Sequence, residues 1–114
     1  MPNQGDIVLI PIPFTDLSSH KRRPVIVISN DHYNAIAADM VVIAMTSNPT
    51  LTAYSFTITS ADLTDGSLNR SGTVRVDKLY TLEQTLIIKT FGQVNTRTLN
   101  RIRAILRELT ARKT

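Results

Sequence analysis

The stretch from Lys21 to Ser29, KRRPVIVIS, constrains the fold more than any other: three cations run into a proline and then four β-branched residues, Val25, Ile26, Val27 and Ile28. An apolar run without polar alternation predicts a central strand covered on both faces. Pro24 donates no ladder hydrogen bond and restricts Arg23 to extended geometry, so it fits the opening residue of that strand. Arg23 is thereby mounted on the scaffold at the lip of a buried element. A guanidinium held in this way can give two parallel hydrogen bonds to the non-bridging oxygens of a phosphate. On the tripeptide alone, charge that merely solvates a strand end is the stronger reading, because short basic clusters match by chance so often.

The 114 residues, with 42% hydrophobic content, suit a single domain over 1–114 with one real core. There is no cysteine, so neither a disulfide frame nor a thiolate metal site is available, and a reducing cytoplasm is compatible. The start, MPNQGDIVLIPIPF, has no basic n-region and is interrupted by Asp6, Pro11 and Pro13, which reads as neither a signal peptide nor a spanning segment. A soluble intracellular protein without membrane attachment is the expectation. A net charge of +4 points to an anionic partner, and it is unevenly placed: acids alone precede Lys21, Arg22 and Arg23, and a second basic group follows from Arg97.

In chain order, IVLIPIPF predicts a first strand whose two prolines fit an edge or the strand's run-out. The polar loop TDLSSHK returns the chain, so the first strand and the KRRP strand are expected to be antiparallel neighbours. SNDHYNAIAAD reads as a turn with one helical twist, and MVVIAM as another buried strand running into Thr46 and Ser47. Hydroxyls at such a rim are ordinarily turn formers or backbone caps. TAYSFTIT alternates cleanly as a half-exposed strand, ADLTDGSLNRSG reads as a loop with a turn at Asp65 and Gly66, and TVRVDKLYTL as a strand whose alternation slips at Asp77 and Lys78, predicting a bulge. TLIIKTFGQV adds a strand with a bend at Gly92. Leu99, Ile102, Ile105, Leu106 and Leu109 then recur at helical spacing, with Asn95 or Thr96 as cap. The remaining positions carry arginines spread around the helix, which reads as a solvated basic face rather than a nucleic-acid-reading helix. Short strands finished by one helix predict a mainly β, α+β domain: a small, bent antiparallel barrel or sandwich.

Over nearly its whole length the sequence also resembles the MazF/PemK family of toxin endoribonucleases. GDIVLIPIPFTDLSSHKRRPVIVIS resembles that family's opening, in which Gly-Asp-hydrophobic-Val begins one strand and Arg-Pro-hydrophobic the next. VVIAMTS resembles its strand ending in a Thr or Ser pair, and SGTVRVDKLYTLE its later strand ahead of a helix led in by GQVN. The resemblance implies an SH3-like barrel of the MazF/CcdB toxin type with an appended helix and a homodimer. It also implies metal-independent cleavage of single-stranded RNA with no cofactor, and a cognate antitoxin protein laid across the same groove, a complex that binds DNA.

Carried over residue by residue, the family's Arg before Pro falls on Arg23 and its strand-end hydroxyl on Thr46, the implied catalytic pair, with Ser47 beside them. Neither Arg nor Thr is a comfortable general base at neutral pH. His20, three residues before Arg23, is the candidate for that role, although an exposed loop histidine without a task is the plainer reading. Lys21 and Arg22 are candidates for the RNA backbone, Phe14 and Tyr80 for base stacking, and Asp77 and Lys78 for base selection. Relatives often place an acid followed by Gln where Asp77 and Lys78 stand. His20 and His32, without HxH or HxxxH spacing, make no metal site. Two alternatives remain at this stage: a non-enzymatic toxin on the same fold, as in the related gyrase inhibitors, and a catalytically silent relative that binds RNA or antitoxin.

Overall fold

The computed structural model describes residues 1–11 and 22–114. Seven strands form one antiparallel sheet: β1 (Asp6–Pro11), β2 (Arg22–Val27), β3 (Asp39–Thr46), β4 (Ser55–Ile58), β5 (Leu63–Gly66), β6 (Gly72–Glu83) and β7 (Lys89–Val94). Their order across the sheet is β4-β6-β3-β2-β1-β7-β5. A six-residue helix, α1 (Asp31–Ile36), joins β2 to β3, and a fourteen-residue helix, α2 (Thr96–Leu109), follows β7. The sheet curls as a half-barrel, so the expected mainly β, SH3-like architecture with a C-terminal helix is what the chain adopts.

The β-branched run of β2 behaves as its composition predicts. β2 lies between β1 and β3, and Val25, Ile26 and Val27 are all buried. Successive side chains go to opposite faces, so Ile26 joins Ile7, Ile43, Phe56 and Val74 in one core layer, whereas Val25 and Val27 join Val8, Ile10, Met40 and Val42 in another. Each fully buried aliphatic side chain in these layers contributes about 1.5–3 kcal/mol. The first layer is closed by α2. Asn95 caps that helix, its Oδ1 accepting from the Thr98 N–H at 2.8 Å, and Ile102 is fully buried while Leu99, Ile105 and Leu106 pack beside it. The arginines of α2 are exposed, as expected, and the Arg101 guanidinium lies 4.2 Å from the centroid of the Phe56 ring.

Two details depart from the sequence reading. The strand opens at Arg22, two residues before Pro24, because pairing with β1 starts first (Pro11 with Arg22, Ile10 with Arg23) and pairing with β3 begins only at Val25. Of the two alternatives for the prolines of β1, the run-out holds for Pro11: the strand is paired on both sides further back, and Pro11 is its last residue. The expected continuation through Phe14 lies outside the described residues. The stretch read as one loop holds a 3₁₀ turn, Ser60–Asp62, and the edge strand β5. Gly66 in that strand does have the positive φ expected of it, +82°, and a Cβ there would sit 2.4 Å from the Phe91 carbonyl oxygen.

The predicted bulge in β6 is present and large. Ala44 of β3 pairs with Arg75, but the next residue, Ile43, pairs with Leu79, so Val76, Asp77 and Lys78 have no partner in that ladder. The predicted bend in β7 is also present, as a register shift against β1 next to Gly92. Past β6, the Gln84 amide nitrogen is 2.9 Å from the Asn34 carbonyl oxygen, 3.0 Å from that of Ala37 and 2.9 Å from that of Asp39. This clamp ties the end of β6 to α1 and the start of β3.

Candidate active site

The strand register brings together residues far apart in sequence. Ile10 pairs with Arg23, and continuing the β2–β3 count from Val25 and Ala44 puts Arg23 opposite Thr46. One strand further on, Ala44 pairs with Arg75 and Thr46 with Thr73. Ile10, Arg23, Thr46 and Arg75 therefore share a face, and all four line a cavity of about 270 Å³. An adjoining hollow of about 300 Å³ is bounded by Arg22, Arg23, Pro24, Met45, Thr46 and Ser47. The wall common to both hollows is Arg23, Pro24, Met45 and Thr46.

The bulge decides what else faces the cavity. Three extra residues shift the alternation of β6 by an odd number, so Tyr80 and Leu82 come to share the face of Arg75, and Lys78 also lines the cavity. The cavity thus carries three cationic side chains, Arg23, Arg75 and Lys78, over an apolar floor of Ile10, Val25 and Leu82. Asp77 is not part of the lining. It takes a two-pronged bond from Arg75, Nε to Oδ1 at 2.9 Å and Nη2 to Oδ2 at 2.8 Å. This hydrogen-bonded pairing holds the Asp77 carboxyl below the usual carboxylate range and raises Arg75 further.

Thr46 combines both roles open to a rim hydroxyl. Its Oγ1 accepts from the Asn48 N–H at 3.2 Å, the backbone-capping use, which leaves the O–H free to donate into the cavity. Asn48 and Thr50, on the loop after β3, complete that side of the wall. Among the described residues Arg23 has no carboxylate partner, so its fork is available to an incoming anion.

Of the residues singled out from sequence, Arg23, Thr46, Lys78 and Tyr80 meet at the cavity that Arg75 also lines, and Arg22 and Ser47 at the adjoining hollow. Phe14, His20 and Lys21 lie outside the described residues. His32 sits on α1 and lines neither hollow. Arg75 is the residue that the sequence reading missed. A signal was there in Val74-Arg75-Val76, where both valines are fully buried and the residue between them must face the other way. Among the described residues no group of three or more His, Asp or Glu side chains gathers as a metal cage, and no helix is long and apolar enough to cross a membrane.

A family model described as the PemK-like, MazF-like toxin of type II toxin–antitoxin systems matches residues 3–110. The chain belongs to that family. Comparison with curated protein sequences gave no match. Among solved structures, similar folds include an endoribonuclease in complex with its cognate antitoxin from a Mycobacterial species, with a TM-score of 0.75 and 19% identity over 100% of both chains. A MazE–MazF complex from Deinococcus radiodurans (Form-III) has a TM-score of 0.76 and 24% identity, over 95% of this chain and 94% of that one. The Mycobacterium tuberculosis toxin MazF-mt6 has a TM-score of 0.72 and 16% identity, over 90% and 93% respectively. At these identities the likeness is one of fold, and the site must be argued from its own residues.

Proposed function

We propose that this toxin-family chain is an endoribonuclease that cuts single-stranded RNA without a metal ion, using Arg23 and Thr46. The observation that carries the reading is the convergence on one cavity wall of a donor hydroxyl and a guanidinium that has no carboxylate partner among the described residues, with Arg75 and Lys78 beside them. In the reaction the ribose 2′-oxygen loses its proton and bonds to the adjacent phosphorus. The bond from phosphorus to the 5′-oxygen breaks, and that oxygen takes up a proton. A 2′,3′-cyclic phosphate and a 5′-hydroxyl end result. Negative charge grows on the non-bridging oxygens, and the Arg23 fork binds that charge more strongly than it binds the ground state. The Thr46 hydroxyl, steadied by the Asn48 N–H, donates to the same phosphate. Among the described residues lining the cavity there is no neutral-pH base, so the 2′-proton passes to solvent or to His20. A pH–rate profile of His20→Gln separates those two routes.

Family membership, and neighbours described as complexes with MazE or a cognate antitoxin, support an antitoxin partner that masks this wall. A homodimer working in the cytoplasm belongs to the same reading. Incubation of the purified protein with a long unstructured RNA in EDTA tests it. Cuts at a short motif with 5′-hydroxyl ends, lost in Arg23→Ala while the fold persists, are expected. Intact RNA with folded wild-type protein refutes the nuclease assignment, and inhibition of DNA supercoiling in its place identifies a gyrase-directed toxin.

A further inference from the structure

The Arg75–Asp77 pair sits at the cavity yet has no part in the chemistry at phosphorus. Asp77 occupies the Nε–Nη2 edge of the guanidinium, which leaves the Nη1–Nη2 edge to offer two parallel N–H donors. The carboxylate also cancels the charge of Arg75, so the pair brings direction without net attraction. A phosphate gains little from a neutralised fork when Arg23 and Lys78 line the same cavity. An uncharged group with two adjacent acceptors gains the full geometric match.

Resting on the nuclease reading, we infer that Arg75, positioned by Asp77, reads one base of the RNA next to the scissile phosphate, and that this base presents two neighbouring acceptors. Guanine offers O6 and N7, and in an unpaired strand cytosine offers N3 and O2. Adenine sets a donor beside each ring acceptor on those edges, and uracil separates its two carbonyls by an N–H. The site therefore divides bases into G or C, accepted, and A or U, rejected. Register supports the placement: Arg75 lies opposite Ala44, two residues before Thr46 on the neighbouring strand, within a nucleotide's reach of the phosphate-binding wall.

The test sequences the 5′-hydroxyl ends that the wild type, Arg75→Gln, Asp77→Asn and Asp77→Glu leave on a randomised single-stranded RNA. One position of the wild-type motif should be restricted to G or C by about 10- to 100-fold, and Arg75→Gln should relax that position while cutting continues. Asp77→Asn frees the charge of Arg75, so it should weaken the preference and raise the salt slope of binding by about 1, and Asp77→Glu should restore both. Replacement by 7-deazaguanine or 3-deazacytosine shows which base is read. Cuts by Arg75→Gln with an unchanged motif overturn the inference and leave the nuclease reading intact. The same proteins are titrated with 2′-deoxy dodecamers alternating dU with dG, dC or dA, which cannot be cut. A dG or dC preference lost in Arg75→Gln supports base reading even where the wild type cuts nothing, and no preference there overturns it together with the nuclease reading.

Discussion

Replacing Arg23 by alanine separates a catalytic guanidinium from one that decorates a strand end. Two charge-assisted hydrogen bonds to phosphate oxygens are worth about 1.5–3 kcal/mol each, or about 3–6 kcal/mol for the fork. Arg23 is exposed at the mouth of both hollows, where water competes for the fork, so the lower half of that range applies. The expected loss in kcat/KM is about 10²- to 10³-fold. It should fall on kcat rather than KM, because the extra charge exists only at the transition state. Arg23→Lys keeps the charge and loses the fork, so it should lie between the two. The fold has little stake in the side chain: with no ion pair among the described residues, stability should change by less than about 0.5 kcal/mol. The assay is single-turnover cleavage of a fluorescent RNA, with thermal melts of each variant. Cleavage by a folded Arg23→Ala within threefold of wild type refutes the transition-state role.

Gln84→Glu replaces an amide nitrogen that faces three carbonyl oxygens with a carboxylate oxygen, and urea denaturation should show a loss of about 2–4 kcal/mol. Gly66→Ala forces a left-handed residue against the Phe91 carbonyl and should cost about 2–3 kcal/mol in the same assay, whereas Ile102→Ala, which empties a fully buried site under α2, should cost about 2–5 kcal/mol. The Asp77 carboxyl is held low by Arg75 in the folded protein, so its contribution to stability is present above the unfolded carboxylate value of about 3.9 and is lost as pH falls through the folded value. For a partly exposed pair the effect is under about 1 kcal/mol: the urea midpoint of Asp77→Asn should fall slightly below wild type at about pH 7 and merge with it near about pH 2.

Most strands and the last helix were legible because their side chains declare a period: unbroken β-branched residues in β2 and β3, alternation in β4, and helical spacing from Leu99 to Leu109. β5 was not, since Leu63–Gly66 is short, polar after its first residue, and made a strand only by the β7 edge beside it. Arg23 and Thr46 are nominated through the resemblance to the toxin family, since their residues alone favour plainer roles. The faces of Lys78 and Tyr80 could not be counted, because a bulge of three residues between Arg75 and Leu79 breaks the alternation of β6, whereas Arg75, ahead of the bulge, could be faced from the valines on either side of it. Pro11 was legible as the strand's run-out, since it ends β1 beyond the reach of β7, while the two-sided pairing of the strand before it carried no signal in the prolines.

From Val25 to Val27, β2 is paired on both sides and planted in both core layers, so those amides exchange with solvent only through openings that dismantle the whole sheet. Arg23 stands outside that stretch, paired on the β1 side alone, and Thr46 closes β3 opposite Thr73 of β6, so both halves of the pair sit at strand ends. In denaturant, activity should fade as these strand ends fray, while the amides of Val25 to Val27 stay protected until the molecule as a whole comes apart.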